Sequence, residues 1–371
     1  MPRPLTRRTL LQISTAFAGV RVAAAAGRRP IRVSLLGQSL IGHDLRQQPW
    51  PGFDAIAALL RSQDVCFSDL ETTIRGPRAE APTREPAGVH AAEPVVIDCL
   101  KAFGINLLAT SNNHAFDLGT GGILDTMAAL QARNLAFAGT GNNLEAASAA
   151  AILDTGFAKV ALVSAAAGMI RNGGAATKSR PGVQELRARS RSELHPDDVA
   201  RMTESIRRAK EKAEIVIAYL HNHLWEEDVA QTADWQRAFA RHTIDAGAAV
   251  FVAHGPPLLH GIETYRGAPL FHGLGSFIFQ TRKVDSAYSE INWQSLIAEC
   301  RFEAGRFTGA KLRPLILAAR GARGEEDLET RGRPSFAEGS AAATVLARIE
   351  TLSTALGQRL RVRTGFASLD V

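Results

Sequence analysis

The residues able to do chemistry in this chain fall in five short clusters: Gln38, Glu71, Asn113-His114, His221-Asn222-His223 and His254. A carboxylate, an amide and imidazoles make a mixed oxygen and nitrogen donor set, suited to Mn, Fe or Zn. A histidine of such a set that is not a ligand can donate a proton to a leaving group. Taken singly, each cluster has a plain explanation. A lone histidine on an apolar element is usually a satisfied core residue, and Asn-Asn-His between a strand and a helix suits an ordinary turn.

All five clusters together are harder to dismiss, because each lies just beyond an apolar strand. The carboxyl ends of strands in an open α/β sheet converge on one crevice. IRVSLLG (31–37), DVCFSDL, INLLAT, EIVIAYLH and AAVFVAH read as those strands. Between them, FDAIAALLRS (53–62), PVVIDCLKAFG, residues 121–133, DDVARMTESIRRAKEKA and WQRAFARHTIDAG carry helical spacing. The alternation predicts an α/β fold built from βαβ units. Hairpins are expected around Thr155-Gly156, Arg266-Gly267 and Ala304-Gly305, and a helix near 340–357. Residues 75–88 read as a surface loop whose Arg75, Arg78 and Arg84 could meet carboxylates or phosphates. Residues 168–198 are irregular and polar, as expected of a loop over a site.

The chain has 371 residues, 46% hydrophobic and 22% charged, which is globular. Its first 26 residues, MPRPLTRRTLLQISTAFAGVRVAAAA, place Arg7-Arg8 before a weakly apolar run and an alanine cluster. That is the pattern of a twin-arginine export signal, so a periplasmic or cell-envelope location is expected. Losing its four arginines would lower the formal charge from +6 to +2. With no basic stripe interleaved with aromatics, nucleic acid is not an expected partner. No transmembrane span is expected beyond the signal segment. Cys66, Cys99 and Cys300 lack metal-type spacing and sit in apolar runs, so buried thiols are expected.

The motifs LLGQSLIGHDLR, CFSDLET, SNNHAFDLGTGGILDTMAAL, AYLHNHLWEE and VAHGPPLLHGIETYRGAPLFHGLGSFIF resemble the CapA family of poly-γ-glutamate capsule biosynthesis proteins. The resemblance runs from about Ile31 to Arg320, within a domain placed at 30–320, and implies a calcineurin-like metallophosphoesterase fold, a four-layer α/β/β/α sandwich. The stretch RGRPSFAEGSAAATVLARIETLSTALGQRL (331–360) resembles the tail of one CapA-like subgroup, and residues 321–371 are expected as a C-terminal tail with one helix on the domain.

By that resemblance, Glu71, Asn113, His221 and His254 match metal ligands, with His223 the alternate to His221. His114 matches the proton-donating histidine. Glu71 and His114 are the catalytic candidates, and Gln38, His223 and Arg75 are the substrate-binding ones. Two positions depart from the family pattern. Gln38 stands where the family has aspartate, and Pro257 where it has a final histidine. Both losses fall on the first half of a two-metal site. His43, Asp44 and His260 are the nearby groups that offer replacements. The expectation is one divalent metal (Mn, Fe or Zn), or none, and a hydrolase or transferase acting on an anionic polymer, peptide or phosphoester. A non-catalytic factor in an envelope biosynthesis complex, or metal-free proton transfer by Glu71 with His114 or His254, are the alternatives.

Overall fold

Strands that read as continuous apolar runs become two sheets stacked face to face. The computed structural model describes residues 29–370 apart from 284–286 and 325–326, so the expected export signal at 1–26 lies outside the described residues. The larger sheet has nine strands. Its parallel half is Ile31–Leu35, Val65–Asp69, Leu107–Ala109 and Ala136–Ala138. Its antiparallel half begins with Gln294–Glu303 and Arg306–Leu317. In the smaller sheet, Lys159–Ala167, Ile215–Asn222, Val250–His254 and Ala268–Phe271 run parallel, flanked by Ala151–Asp154 and Ile262–Tyr265. All three expected hairpins are present.

Alternation along the strands decides which layer each side chain joins. Val33, Leu35, Phe67 and Leu107 point into the space between the sheets and meet Leu162, Ile217, Tyr219 and Val252. On the other face, Leu36, Cys66 and Leu108 pack under Leu60, Ile97, Leu100 and Phe103 of the helices Pro51–Arg61 and Val95–Phe103. Met202, Ile206, Phe239 and Ala240, from Pro196–Lys210 and Asp234–Asp245, cover Val216, Ala218 and Phe251 on the far side. The layers therefore run α/β/β/α. Each fully buried Leu, Ile or Phe contributes roughly 1.5–3 kcal/mol of transfer free energy, and truncating Phe103 would cost about 3–5 kcal/mol.

The C-terminal residues contain the expected helix, Gly339–Ala355, whose Val345, Leu346 and Ile349 join the inter-sheet core. They also supply strands that the sequence did not suggest. Pro334–Phe336 and Phe366–Asp370 both pair with Arg306–Leu317, and Arg361–Arg363 forms the sheet edge. Pro334–Phe336 and Arg361–Arg363 have three residues each, and all three of Arg361–Arg363 are exposed, so no apolar alternation announces those two. The cysteines are buried free thiols, and burial pushes those of Cys66 and Cys99 up to about 12. No helix among the described residues is long and apolar enough to cross a membrane.

Candidate metal centre and proton donor

The parallel strands of both sheets end at the same side of the sandwich. Asp69 stands beside Ala109 in one sheet, and His221 beside His254 in the other. Period two along extended chain puts Asp69 and Glu71 on one face, and Tyr219, His221 and His223 on one face. His221 is the hub. Its Nε2 lies 2.8 Å from Asn113 Oδ1, 3.0 Å from His223 Nε2 and 3.6 Å from Glu71 Oε1. Ligand atoms of Glu71, His221 and His223 all fall within 4.8 Å of one another. The ring's other nitrogen, Nδ1, is 3.3 Å from Asp69 Oδ2 and 3.3 Å from the Tyr219 hydroxyl. Such outer contacts fix ring orientation in metal sites.

The electrostatics of this cluster fit a cation. Burial, with Asp69 and Asp117 nearby, pushes the Glu71 carboxyl well above the usual carboxylate range, and Arg84 offsets this only in part. Glu71 Oε2 and His223 Nδ1 are buried and have no hydrogen-bond partner. Burial also holds the His223 imidazole well below its ordinary value, with His221 adding to the effect. A buried carboxylate without a counter-charge is costly, and neutral imidazole is the form that binds a metal. A divalent ion would supply the counter-charge that Glu71 lacks and bind a neutral imidazole nitrogen.

Asn112 and Asn113 divide their work. The Asn112 amide reaches back to Asp69 Oδ1 at 3.0 Å and the Leu70 carbonyl at 2.8 Å, while its own oxygen accepts from the His114 backbone at 3.1 Å. It braces the loop and leaves Asn113 facing His221. His114 Nδ1 is 2.7 Å from Asp117 Oδ2. Asp117 is itself held by the Arg84 guanidinium and, at 2.8 Å, by the His90 backbone N–H. This leaves His114 Nε2 toward the cleft, 4.0 Å from Glu71 Oε1. Burial lowers the His114 pKa, and the bond to Asp117 works against that shift.

The Gln38 side is different. Its amide nitrogen donates to the Gly255 carbonyl at 3.2 Å, and its oxygen accepts from the Gly255 N–H at 3.2 Å. Gly255 has φ +152°, and a Cβ there would lie 1.8 Å from the Asn222 carbonyl oxygen, so only glycine fits. His254 Nδ1 bonds the Tyr219 hydroxyl at 3.2 Å, which places the ring behind His221 and outside the Glu71–His221–His223 group. Burial takes its pKa down to about 3, with the nearby Leu36 backbone partly offsetting. Two of the three substitutes for the missing ligands are engaged elsewhere: Asp44 pairs with Arg46 at 2.8 Å, and His260 Nε2 lies 2.8 Å from the Val229 carbonyl, while His43 is not among the lining residues of the cleft. Arg75 is exposed and does not line the cleft, whereas Arg84 does.

Asp69, Tyr219, His90 and Asp117 were not among the sequence candidates. Three of the four had a positional signal. Asp69 and Tyr219 lie two residues before Glu71 and His221, and Asp117 three after His114. The cluster floors a cleft of about 790 Å³.

Fold and site together define a two-sheet α/β/β/α protein with a candidate metal centre where the strand ends of both sheets meet. The family described as bacterial capsule synthesis protein PGA_cap matches residues 32–281, and the chain belongs to it. It is 26% identical to an uncharacterized protein of Sinorhizobium fredii, over 88% of this chain and 90% of that one. It is 32% identical to the PGA biosynthesis protein CapA of Bacillus subtilis, over 52% of this chain and 48% of the relative. A solved structure, the NAD nucleotidase of Haemophilus influenzae, aligns with 87% of this chain and 56% of its own at TM-score 0.42 and 10% identity.

Proposed function

We propose that this chain is an exported, metal-dependent hydrolase or transferase of capsule or envelope polymer metabolism. Its one divalent metal is held by Glu71, Asn113, His221 and His223, with His254 behind them. The observation that carries the reading is the convergence of three ligand atoms within 4.8 Å at the cleft floor, one of them from Glu71, whose charged neighbours are Asp69, Asp117 and Arg84. The name of the Bacillus relative supports a polymer pathway. When bound, the metal supplies Lewis acidity at the scissile group.

The protein's own groups do the rest. Asp117 accepts from His114 Nδ1–H and favours the imidazolium against burial; in that form the Nε2–H facing the cleft gives its proton to the departing atom and leaves a neutral Nδ1–H ring. The Gln38 amide, closed on Gly255, keeps the Gly255-Pro256-Pro257 wall in place and leaves no lone amide for a second ion. Export rests on Arg7-Arg8, and replacing both by lysine should leave the precursor inside the cell. Undiminished export would contradict that part.

The test of activity is a screen of manganese-, iron- and zinc-loaded protein against phosphoesters and γ-glutamyl oligomers. Metal-dependent turnover of one class is expected. A loaded protein that turns over neither would contradict the enzyme reading and point to a polymer-binding factor.

A further inference from the structure

The walls of the same cleft bear on what enters it, a step that rests on the functional reading above. Among the described lining residues the charged groups balance: Arg84 and Lys283 against Glu71 and Asp228. Arg84 is already committed to Asp117 and to the Asn113 carbonyl. An uninterrupted polyanion would bring several carboxylates into this space, and those beyond the ones met by the metal and Lys283 would be desolvated without a counter-charge.

The rim instead offers apolar surface beside the metal ligands. Met169 is 58% exposed and Val229 37%, and both line the cleft. Met169 has φ +56°, an unusual backbone state for a methionine, and follows Gly168, whose φ is +78°. That turn lies against His223, since a Cβ on Gly168 would come 2.8 Å from the His223 carbonyl carbon. Strained backbone beside a site is a pointer to use. Trp225 is fixed as well: its indole N–H donates to the Asn222 carbonyl at 2.8 Å, and its ring lies 4.8 Å from that of His223. Tyr288 faces the same cleft from another loop.

We infer that the substrate carries one anionic group at the metal floor joined directly to an aromatic or alkyl moiety, which rests on Trp225 and Met169. A bare poly-γ-glutamate stretch is the wrong shape of charge for these walls. Trp225 and Met169 are then the residues that set specificity.

The test is calorimetric titration of the manganese-loaded full chain with phenylphosphonate, methylphosphonate and tri-γ-glutamate. Phenylphosphonate should bind at least about tenfold tighter than methylphosphonate, the gain expected from covering one ring. Trp225→Ala should remove that gain and leave methylphosphonate within about twofold. Met169→Ser, at an exposed position where folding is not at stake, should do the same. Equal binding of the two phosphonates, or tightest binding of tri-γ-glutamate, would overturn this inference alone, because the anion site would still be there. Failure to bind manganese and all three probes would overturn the functional reading with it.

Discussion

Two neighbouring patches of the cleft floor are built from the same strand ends and treat their polar atoms in opposite ways. Around His221, donors crowd together: Asn113, His223 and Glu71 approach one nitrogen, and a carboxylate oxygen and an imidazole nitrogen are left without partners. Around Gln38, the amide oxygen and nitrogen are each matched by one backbone group of Gly255. The first patch leaves donor atoms that a cation could take up, and the second is complete in itself. Neutral amide in place of carboxylate allows this, since an amide can both give and accept while a carboxylate only accepts. Loss of an ionic ligand therefore need not collapse the wall it stood on.

The largest effect expected is chemical. His114→Ala should lower turnover by roughly 10²–10⁴-fold, the usual loss for a general acid, while fold and metal content persist. Normal turnover in the variant, measured at saturating metal, would break the division between ligand and acid within the first patch.

Support for that patch reaches far back. His272 Nε2 lies 3.0 Å from Glu263 Oε1, the Gln236 amide lies 3.2 Å from His272 Nδ1, and Asn222 donates to Gln236 at 2.7 Å. Asn222 sits between His221 and His223, so this chain of bonds steadies the segment that carries both histidines. Burial alone would raise the Glu263 carboxyl, but His272, Arg237 and Arg241 outweigh it and hold the group well below the usual range. A depressed carboxylate contributes stability above the unfolded value of about 4.3 and loses it as pH falls toward the folded value. Glu263→Gln should therefore cost about 3 kcal/mol near neutrality, and less below about pH 4. Thermal melts of both proteins across pH would show a gap that narrows on acidification. A gap that stays constant would mean the charge is not what matters.

Asp69→Asn should be milder. Removing the carboxylate beside His221 Nδ1 should weaken metal affinity about 10–100-fold, the range for groups that orient a ligand. Chelator competition measures it, and unchanged affinity would leave Tyr219 as the orienting partner. Smallest of all, Gln38→Ala should cost about 1–2 kcal/mol of stability from the two lost bonds and leave metal content unchanged.

The layers of the fold were legible because strand runs and amphipathic helices follow different periods, and the motif resemblance supplied their stacking. Site legibility was uneven. Glu71, Asn113, His114 and His221 stood out as polar residues where apolar runs stop. His223 and Asp69 could have been promoted by the period-two rule alone, since extended chain puts residues 221 and 223, or 69 and 71, on one side. What no local rule shows is which partner a buried group finds across the sheets. His254 has a neighbour in Tyr219, thirty-five positions away, and Arg84 rather than Arg75 bends back to Asp117. Such choices depend on loop paths, and loop 75–88 carries no periodic signal.

The central claim is that only the His221 patch holds a metal, and metal stoichiometry tests it most directly. Protein folded with manganese, iron and zinc present, then freed of loose ions and analysed by native mass spectrometry with elemental analysis, should carry one ion per chain. His221→Ala should abolish binding, and Gln38→Ala should not change the count. Two tightly held ions per chain, or one ion that survives His221→Ala, would contradict the account.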